Sequence, residues 1–83
     1  IVARWGGEEF VVILSNTHIS DAKIAVDKIR RAIELEVFDV VGSITTSIGV
    51  TEYSHEKVEE LFTRVDKALY RAKNNGKNQT VSI

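Results

Sequence analysis

Two glycines and two carboxylates stand next to each other near the start of the chain, at Gly6, Gly7, Glu8 and Glu9. Glycine accepts the positive φ values of a tight turn and lets the backbone approach a bound group closely. Carboxylates at such a turn can hold a proton or a divalent cation, because Mg²⁺ prefers hard oxygen ligands. The same residues could also form an ordinary solvated acidic turn. The segments on either side of the turn therefore help to decide between these two interpretations.

Apolar segments at residues 1–3 and 11–14 flank this turn, and both are typical of β-strands. Two strands joined by a Gly-Gly turn predict a β-hairpin over residues 1–14, with the carboxylates at its tip. Residues 10–14 are apolar at every position, which predicts a strand covered on both faces.

Two amphipathic helices are predicted after the hairpin. Ser20 is the candidate N-cap of the first helix, and Ser54 is the candidate N-cap of the second. Gly76 is placed to end the second helix as a residue with positive φ. Apolar residues at helical spacing define the stripe of the first helix, at Ala22, Val26, Ile29 and Ile33. The stripe predicted to be buried on the second helix comprises Val58, Leu61, Phe62, Val65, Ala68, Leu69 and Ala72.

Short strands are predicted between and after the helices. Residues 37–38 and 40–41 favour a short strand that ends at Gly42. Residues 45–53 are rich in β-branched side chains, and Gly49 within them indicates a close approach or a bulge. Residues 80–83 are predicted to form a final strand. The order β-β-α-(β)-β-α-β predicts an α+β fold in which helices cover a largely antiparallel sheet.

The composition narrows the classes of function. The 83 residues suffice for one small domain or for part of one. A net charge of −1 gives no basic field for nucleic acid, and no apolar run approaches the roughly 20 residues that span a bilayer. The chain lacks cysteine, and its two histidines are too isolated to suggest a metal centre. We therefore expect neither nucleic-acid binding nor membrane contact from this segment.

Three blocks of sequence resemble the GGDEF domains of bacterial diguanylate cyclases. They are Gly-Gly-Glu-Glu-Phe at residues 6–10, Ser-Ile-Gly-Val at residues 47–50, and the segment from Asp66 to Asn78. The resemblance implies the C-terminal part of a ferredoxin-like, palm-type nucleotidyl cyclase fold. In the family the hairpin motif lies near the middle of the domain. Residues 1–83 are therefore expected to be the C-terminal portion of a single GGDEF domain whose N-terminal half is absent.

The resemblance also assigns roles to the acidic turn. Glu8 matches a position that binds a divalent metal, Mg²⁺ or Mn²⁺, in contact with the phosphates of GTP. Glu9 matches a second acid that is linked to metal binding or to activation of the attacking hydroxyl, so both glutamates are candidate catalytic and metal-binding residues. Gly6 and Gly7 match positions where a side chain would collide with a nucleotide phosphate.

Two lysines near the end of the second helix match basic positions that contact GTP phosphates in the family. They are Lys73 and Lys77. Lys77 stands where arginine is more usual, so a bidentate phosphate contact is lost there. An ordinary basic helix end, favoured by the helix dipole, is the alternative interpretation of both residues.

The implied activity is that of a diguanylate cyclase, which condenses two GTP molecules into cyclic di-GMP and releases pyrophosphate. Each domain would hold one GTP, so turnover requires a homodimer. The family's first metal-binding aspartate, its guanine-recognising residues and its first phosphate loop precede the hairpin, so we expect the isolated fragment to be inactive. Its product-inhibition motif would end just before Ile1. Uncovered sheet edges and helix faces predict oligomerisation or strand exchange of the fragment.

Two other functions stay open at this point. Some GGDEF domains are non-catalytic modules that bind GTP, cyclic di-GMP or a protein partner for regulation. A related palm-type cyclase could also make a different cyclic nucleotide. GTP chemistry and the lack of cysteine favour a cytoplasmic location, either alone or as the cytoplasmic domain of a larger, membrane-bound sensor protein.

Overall fold

The computed structural model describes residues 2–6, 9–39 and 41–83, and for residues 2–6 and 9–11 it describes the backbone alone. Two helices of 17 residues each and six short strands are found within these ranges. The elements are β1 (Val2–Gly6), β2 (Glu9–Val12), α1 (Ile19–Leu35), β3 (Val37–Phe38), β4 (Gly42–Ser43), β5 (Ile48–Val50), α2 (Val58–Asn74) and β6 (Thr80–Ser82). The α+β class predicted from the sequence is confirmed.

The described strands form three separate two-stranded sheets. β1 and β2 pair antiparallel with Val2 opposite Val12, which confirms the predicted hairpin. β3 and β4 form a second antiparallel pair. The sequence had predicted one strand here, whereas the structure has two short strands that pair with each other. Val40, part of that predicted strand, lies outside the described residues. β5 and β6 pair parallel. The described strands therefore do not form the single, largely antiparallel sheet that was expected. β6 runs parallel to β5 because α2 is a crossover connection that brings the chain back in the same direction.

The core lies where α2 crosses β5 and β6. Ala68 and Ala72 of α2 have no exposed surface, and Val50 of β5 is 8% exposed. Gly49 meets α2 so closely that a Cβ atom there would lie 2.7 Å from the carbonyl oxygen of Val65. Small residues on both elements thus let the helix backbone rest directly on the strand. The close approach predicted for Gly49 is confirmed.

Side chains from other elements satisfy the start of α1. The helix begins at Ile19 with His18 as its N-cap, so the prediction of Ser20 as the cap is wrong. The backbone N–H of Ile19 donates to the Glu52 carboxylate at 3.0 Å. A carboxylate accepts a stronger hydrogen bond than a hydroxyl and suits the positive end of the helix. Glu52 therefore takes the role that the sequence had suggested for a serine.

The prediction of Ser54 as the cap of α2 is also wrong, because the helix begins at Val58 with Lys57 as its N-cap. The backbone N–H and the hydroxyl of Ser54 instead donate to the Glu56 carboxylate at 3.0 and 2.8 Å. The Arg64 guanidinium donates to the same carboxylate and to the carbonyl oxygen of Glu52. These bonds organise the connection between β5 and α2.

The end of α2 follows the prediction. The helix ends at Asn74, and Gly76 has a φ of +114°. The N–H of Lys77 donates to the carbonyl oxygen of Ala72 at 3.0 Å, which is the long-range bond of a Schellman motif. Gly76 therefore terminates the helix as the sequence indicated.

Several predicted core positions remain exposed in the described part of the chain. Val12, Ile13 and Leu14 at the end of the hairpin are exposed, so the strand predicted to be covered on both faces lacks that cover. Val58 on α2 is 61% exposed, although it belongs to the stripe predicted to be buried. Within the described ranges, no helix combines the length and the apolar character that crossing a membrane requires.

Candidate nucleotide site

The β1 and β2 strands pair on either side of residues 7 and 8 of the acidic motif. Gly6 and Glu9 pair with each other, and their backbones are described. Gly7 and Glu8, which were predicted to contact phosphate and metal, lie outside the described residues. The structure therefore locates three of the five motif residues, Gly6, Glu9 and Phe10, by backbone position.

An open groove of about 1450 Å³ runs between α1, β5 and α2. The base of the hairpin contributes Val12 and Leu14 to its lining, and the end of α2 contributes Lys73. Lys77, just after the helix, lines the same groove. The apolar stripe predicted for α1 also faces it, at Ala22, Val26, Ile29 and Ile33. The two candidate phosphate ligands thus share one groove with the hairpin that carries the acidic motif.

One face of α2 supplies a continuous wall of this groove. Phe62, Val65, Asp66, Leu69 and Lys73 recur at helical spacing along it. Most of that wall is apolar, and its C-terminal end carries the Lys73 ammonium. Such an end presents a positive charge beside a hydrophobic surface, which suits an anion attached to an apolar or aromatic group.

Three consecutive residues after α2 have positive φ angles. Gly76 has +114°, Lys77 has +62° and Asn78 has +46°. The left-handed region costs an L-residue other than glycine about 1–2 kcal/mol, and asparagine tolerates it best. Lys77 therefore adopts a backbone conformation that its surroundings must hold in place.

A half-buried arginine on α1 contacts this segment. Arg30, whose side chain is 14% exposed, donates to the side-chain oxygen of Asn78 at 2.8 Å and to its carbonyl oxygen at 3.3 Å. Asp27 accepts from the Arg30 Nε at 2.7 Å and from the Thr80 hydroxyl at 2.8 Å. The side-chain amide of Asn78 donates to the Glu34 carboxylate. Helix α1 is thus tied to the chain on both sides of Gln79.

The carboxylates of this cluster titrate below their ordinary ranges. Hydrogen bonds from Arg30 and Thr80 lower the pKa of Asp27. Hydrogen bonds from the Asn78 amide and from Arg31 lower the pKa of Glu34. Both carboxylates are therefore charged at neutral pH, and together they balance the charges of Arg30 and Arg31. This cluster supports the loop and leaves the lysines to carry the positive charge of the groove.

Neither Arg30 nor Asp27 was singled out from the sequence. Their spacing of three residues is a visible signal for an ion pair. The hydrogen bonds from Arg30 to Asn78 join residues that lie 48 positions apart along the chain. No local pattern could reveal that contact.

A metal site in this chain would rest on the acidic motif. Among the side chains that the structure describes, no group of three or more His, Cys, Asp or Glu residues could hold a metal ion. Glu8 lies outside the described residues, and the side chain of Glu9 is not described. Two adjacent carboxylates are a donor set that fits Mg²⁺, which takes one or two protein carboxylates together with substrate phosphates.

The chain matches known proteins along nearly its whole length. The family model described as "Diguanylate cyclase, GGDEF domain" matches residues 1–79. The chain is 42% identical over 83 residues to diguanylate cyclase DgcM of Escherichia coli K12, covering 99% of this chain and 20% of that protein. It is 42% identical over 82 residues to diguanylate cyclase A of Treponema denticola, covering 93% of this chain and 22% of that protein. It is 38% identical over 85 residues to the response regulator PleD of Caulobacter vibrioides, covering 94% of this chain and 19% of that protein.

The chain spans about a fifth of the length of these curated relatives. The family model extends beyond the acidic hairpin to the segment that contains Lys73 and Lys77. The resemblance seen in the three sequence blocks therefore rests on one continuous match. This chain belongs to the GGDEF domain family of diguanylate cyclases.

Proposed function

We propose that the protein containing this chain is a diguanylate cyclase, which makes cyclic di-GMP and pyrophosphate from two molecules of GTP. The family match over residues 1–79 and the intact Gly-Gly-Glu-Glu-Phe motif support the proposal. The structural observation that carries it is the shared groove. Lys73 and Lys77 line it together with the base of the hairpin that bears the acidic motif.

The proposed reaction consists of two equivalent phosphoryl transfers. The 3′-hydroxyl oxygen of each GTP attacks the α-phosphorus of the other and forms a new P–O bond. The bond between that phosphorus and the oxygen bridging to the β-phosphate breaks, and pyrophosphate leaves. Glu9 takes the proton of the attacking hydroxyl. Mg²⁺ or Mn²⁺ held by Glu8 and Glu9 would neutralise charge on the phosphates.

The lysines contribute charge to the same step. Lys73 and Lys77 are both exposed to solvent on the groove side, so their ammonium groups can reach anionic oxygens. An ammonium acts as a mobile point charge, whereas an arginine would grip a phosphate with two parallel hydrogen bonds. We propose that both lysines bind GTP phosphates and that Gly6 and Gly7 leave room for them.

Catalysis in this proposal requires a homodimer, because each domain holds one of the two reacting nucleotides. GTP as the substrate favours the cytoplasm as the location. The 83 residues alone are proposed to be inactive, since the family places guanine-recognising residues before the hairpin. The same fragment is expected to self-associate through its uncovered apolar groove.

The test uses the full-length protein with GTP and Mg²⁺, and product is quantified by chromatography and mass spectrometry. Glu8→Gln removes one charge with little change in shape, and we expect cyclic di-GMP synthesis to fall by about a hundredfold or more. Glu59→Gln, an exposed change in the first turn of α2, is the matched control and should keep the parental rate. Undiminished synthesis by Glu8→Gln would refute the role of Glu8. Turnover by the 83-residue chain would refute the proposal that it is inactive.

A non-catalytic nucleotide-binding module is the second candidate. Lys77 in place of the usual arginine favours it, because the bidentate phosphate contact is missing. Calorimetric titration of the full-length protein with GTP separates the two functions. GTP binding without formation of cyclic di-GMP would support the regulatory module.

A further inference from the structure

The loop that carries Lys77 is bonded both within itself and to α1. Within the loop, the Gln79 side-chain amide donates to the carbonyl oxygens of Asn75 at 2.9 Å and Lys77 at 3.1 Å. These bonds would move with the loop if it shifted. The bonds from Arg30 to Asn78 are different, because they join the loop to the helix that forms the opposite wall of the groove.

The contacts of Arg30 hold its side chain in one position. Its side chain is 14% exposed, and two nitrogens of its guanidinium donate to the two carboxylate oxygens of Asp27 at 2.7 and 3.4 Å. The remaining terminal nitrogen makes both bonds to Asn78, one to the backbone and one to the side chain. A planar guanidinium held on one side presents its other donors in a fixed direction. Arg30 therefore fixes the position of Asn78 relative to α1, together with the Glu34 carboxylate that accepts from the Asn78 side-chain amide.

Lys77 immediately precedes Asn78 and adopts a φ of +62°. Local preference alone does not hold its backbone in that conformation, since the left-handed region is costly for lysine. We infer that the Arg30–Asn78 hydrogen bonds position the Lys77 ammonium in the groove, so that Arg30 is a positioning residue for the phosphate contact of Lys77. The inference rests on the proposed function, in which Lys77 binds a GTP phosphate. Arg30 itself is satisfied by Asp27 and Asn78 and acts through the lysine.

A double-mutant cycle in the full-length protein tests this coupling. The variants are Lys77→Ala, Arg30→Met and the combination of both, assayed for kcat and KM with GTP. Lys77→Ala should lower kcat/KM about tenfold, and Arg30→Met should lower it by a similar factor, because small displacements of a positioned group are costly. Once Lys77 is alanine, Arg30→Met should cause little further loss. A merely structural role of Arg30 would instead give losses that multiply.

A second variant guards against a folding defect in Arg30→Met. Asn78→Gly removes the side-chain acceptor for Arg30 and the amide that donates to Glu34, and it keeps the backbone acceptor and a residue that accepts positive φ. It should lower kcat/KM in the parent and have little effect when Lys77 is alanine. Lys28→Met, a charge-removing change at an exposed position on the same helix, is the control and should keep the parental kcat/KM.

The outcomes separate the inference from the proposal beneath it. If Lys77→Ala keeps the parental kcat/KM, the phosphate role of Lys77 is wrong and the inference fails with it. If Lys77→Ala loses activity while Arg30→Met and Asn78→Gly do not, only the positioning role is wrong. Multiplying losses in the double variants would overturn it as well. Losses that coincide would establish that Arg30 acts through Lys77.

Discussion

Replacing Gly49 with alanine should weaken the contact between β5 and α2. A Cβ atom at this position would lie 2.7 Å from the carbonyl oxygen of Val65 and 2.9 Å from the Cα of Leu69, and closer still to the backbone nitrogen of Leu69. Ordinary contacts between carbon atoms lie at about 3.5–4.0 Å. The neighbouring atoms belong to the helix backbone and cannot rotate away as a side chain could. The helix must therefore shift from the strand by several tenths of an ångström or more.

The expected loss of stability follows from these distances. Overpacking a well-packed core costs about 1–3 kcal/mol, and a clash with backbone lies at the upper end of that range. Alanine also restricts the unfolded chain, which returns about 0.4–1 kcal/mol. The net loss is about 2 kcal/mol, which lowers Tm by about 4–8 °C in a domain of about 150–250 residues.

Gly42→Ala is the matched control for this measurement. A Cβ atom at Gly42 would meet nothing within 4 Å, but the residue has a φ of +75°. The left-handed strain costs about 1–2 kcal/mol, and the same restriction of the unfolded chain offsets part of it. Urea unfolding of both variants in the full-length protein compares steric exclusion with backbone strain. If Gly49→Ala is no less stable than Gly42→Ala, close packing is not the reason for glycine at position 49.

Three further predictions concern charged groups. Hydrogen bonds from the Ser54 backbone, the Ser54 hydroxyl and Arg64 lower the pKa of Glu56 from 4.5 to about 2. Its charged form therefore stabilises the fold above pH 4.5, and that contribution is lost as the pH falls toward 2. The urea midpoints of the parent and of Glu56→Gln should converge over this pH interval. A difference between the midpoints that stays constant with pH would contradict the lowered pKa of Glu56. Glu52→Ala should lower the free energy of unfolding by about 1 kcal/mol, because the start of α1 loses its cap. Glu52→Gln keeps an acceptor oxygen and should lower it less. Equal losses of the two variants in urea unfolding would contradict the role of Glu52 as the acceptor for the Ile19 N–H. Lys73→Ala should weaken GTP binding about tenfold, because a charge-assisted hydrogen bond is lost. Lys67→Ala, a change at an exposed position on the same helix, is the control and should keep the parental affinity. Calorimetry with GTP measures both variants, and equal GTP affinities of the two variants would exclude a phosphate contact at Lys73.

Local physics made several features predictable from the sequence. The hairpin, both helices and the final strand follow from hydrophobic periodicity, which each segment carries by itself. Gly76 was identifiable as a helix terminator and Gly49 as a close approach, because glycine at such positions has few other uses. The candidate phosphate ligands Lys73 and Lys77 were identified by resemblance, and the structure places both on one groove.

Contacts between distant residues required the tertiary structure. The helix caps were mispredicted because the Glu52 carboxylate reaches the start of α1 from 33 residues away. The parallel pairing of β5 with β6 depends on where α2 returns the chain, which periodicity does not specify.

The sequence by itself determined the hairpin, both helices, the final strand, the family and the candidate residues, since these depend on side-chain type and on short-range spacing. The tertiary structure alone showed which groups lie around Lys77. The bonds from Arg30 to Asn78 join positions 48 residues apart, and they lie beside a lysine with a left-handed backbone. A donor with several possible acceptors selects among them by proximity and geometry, and the folded chain sets both.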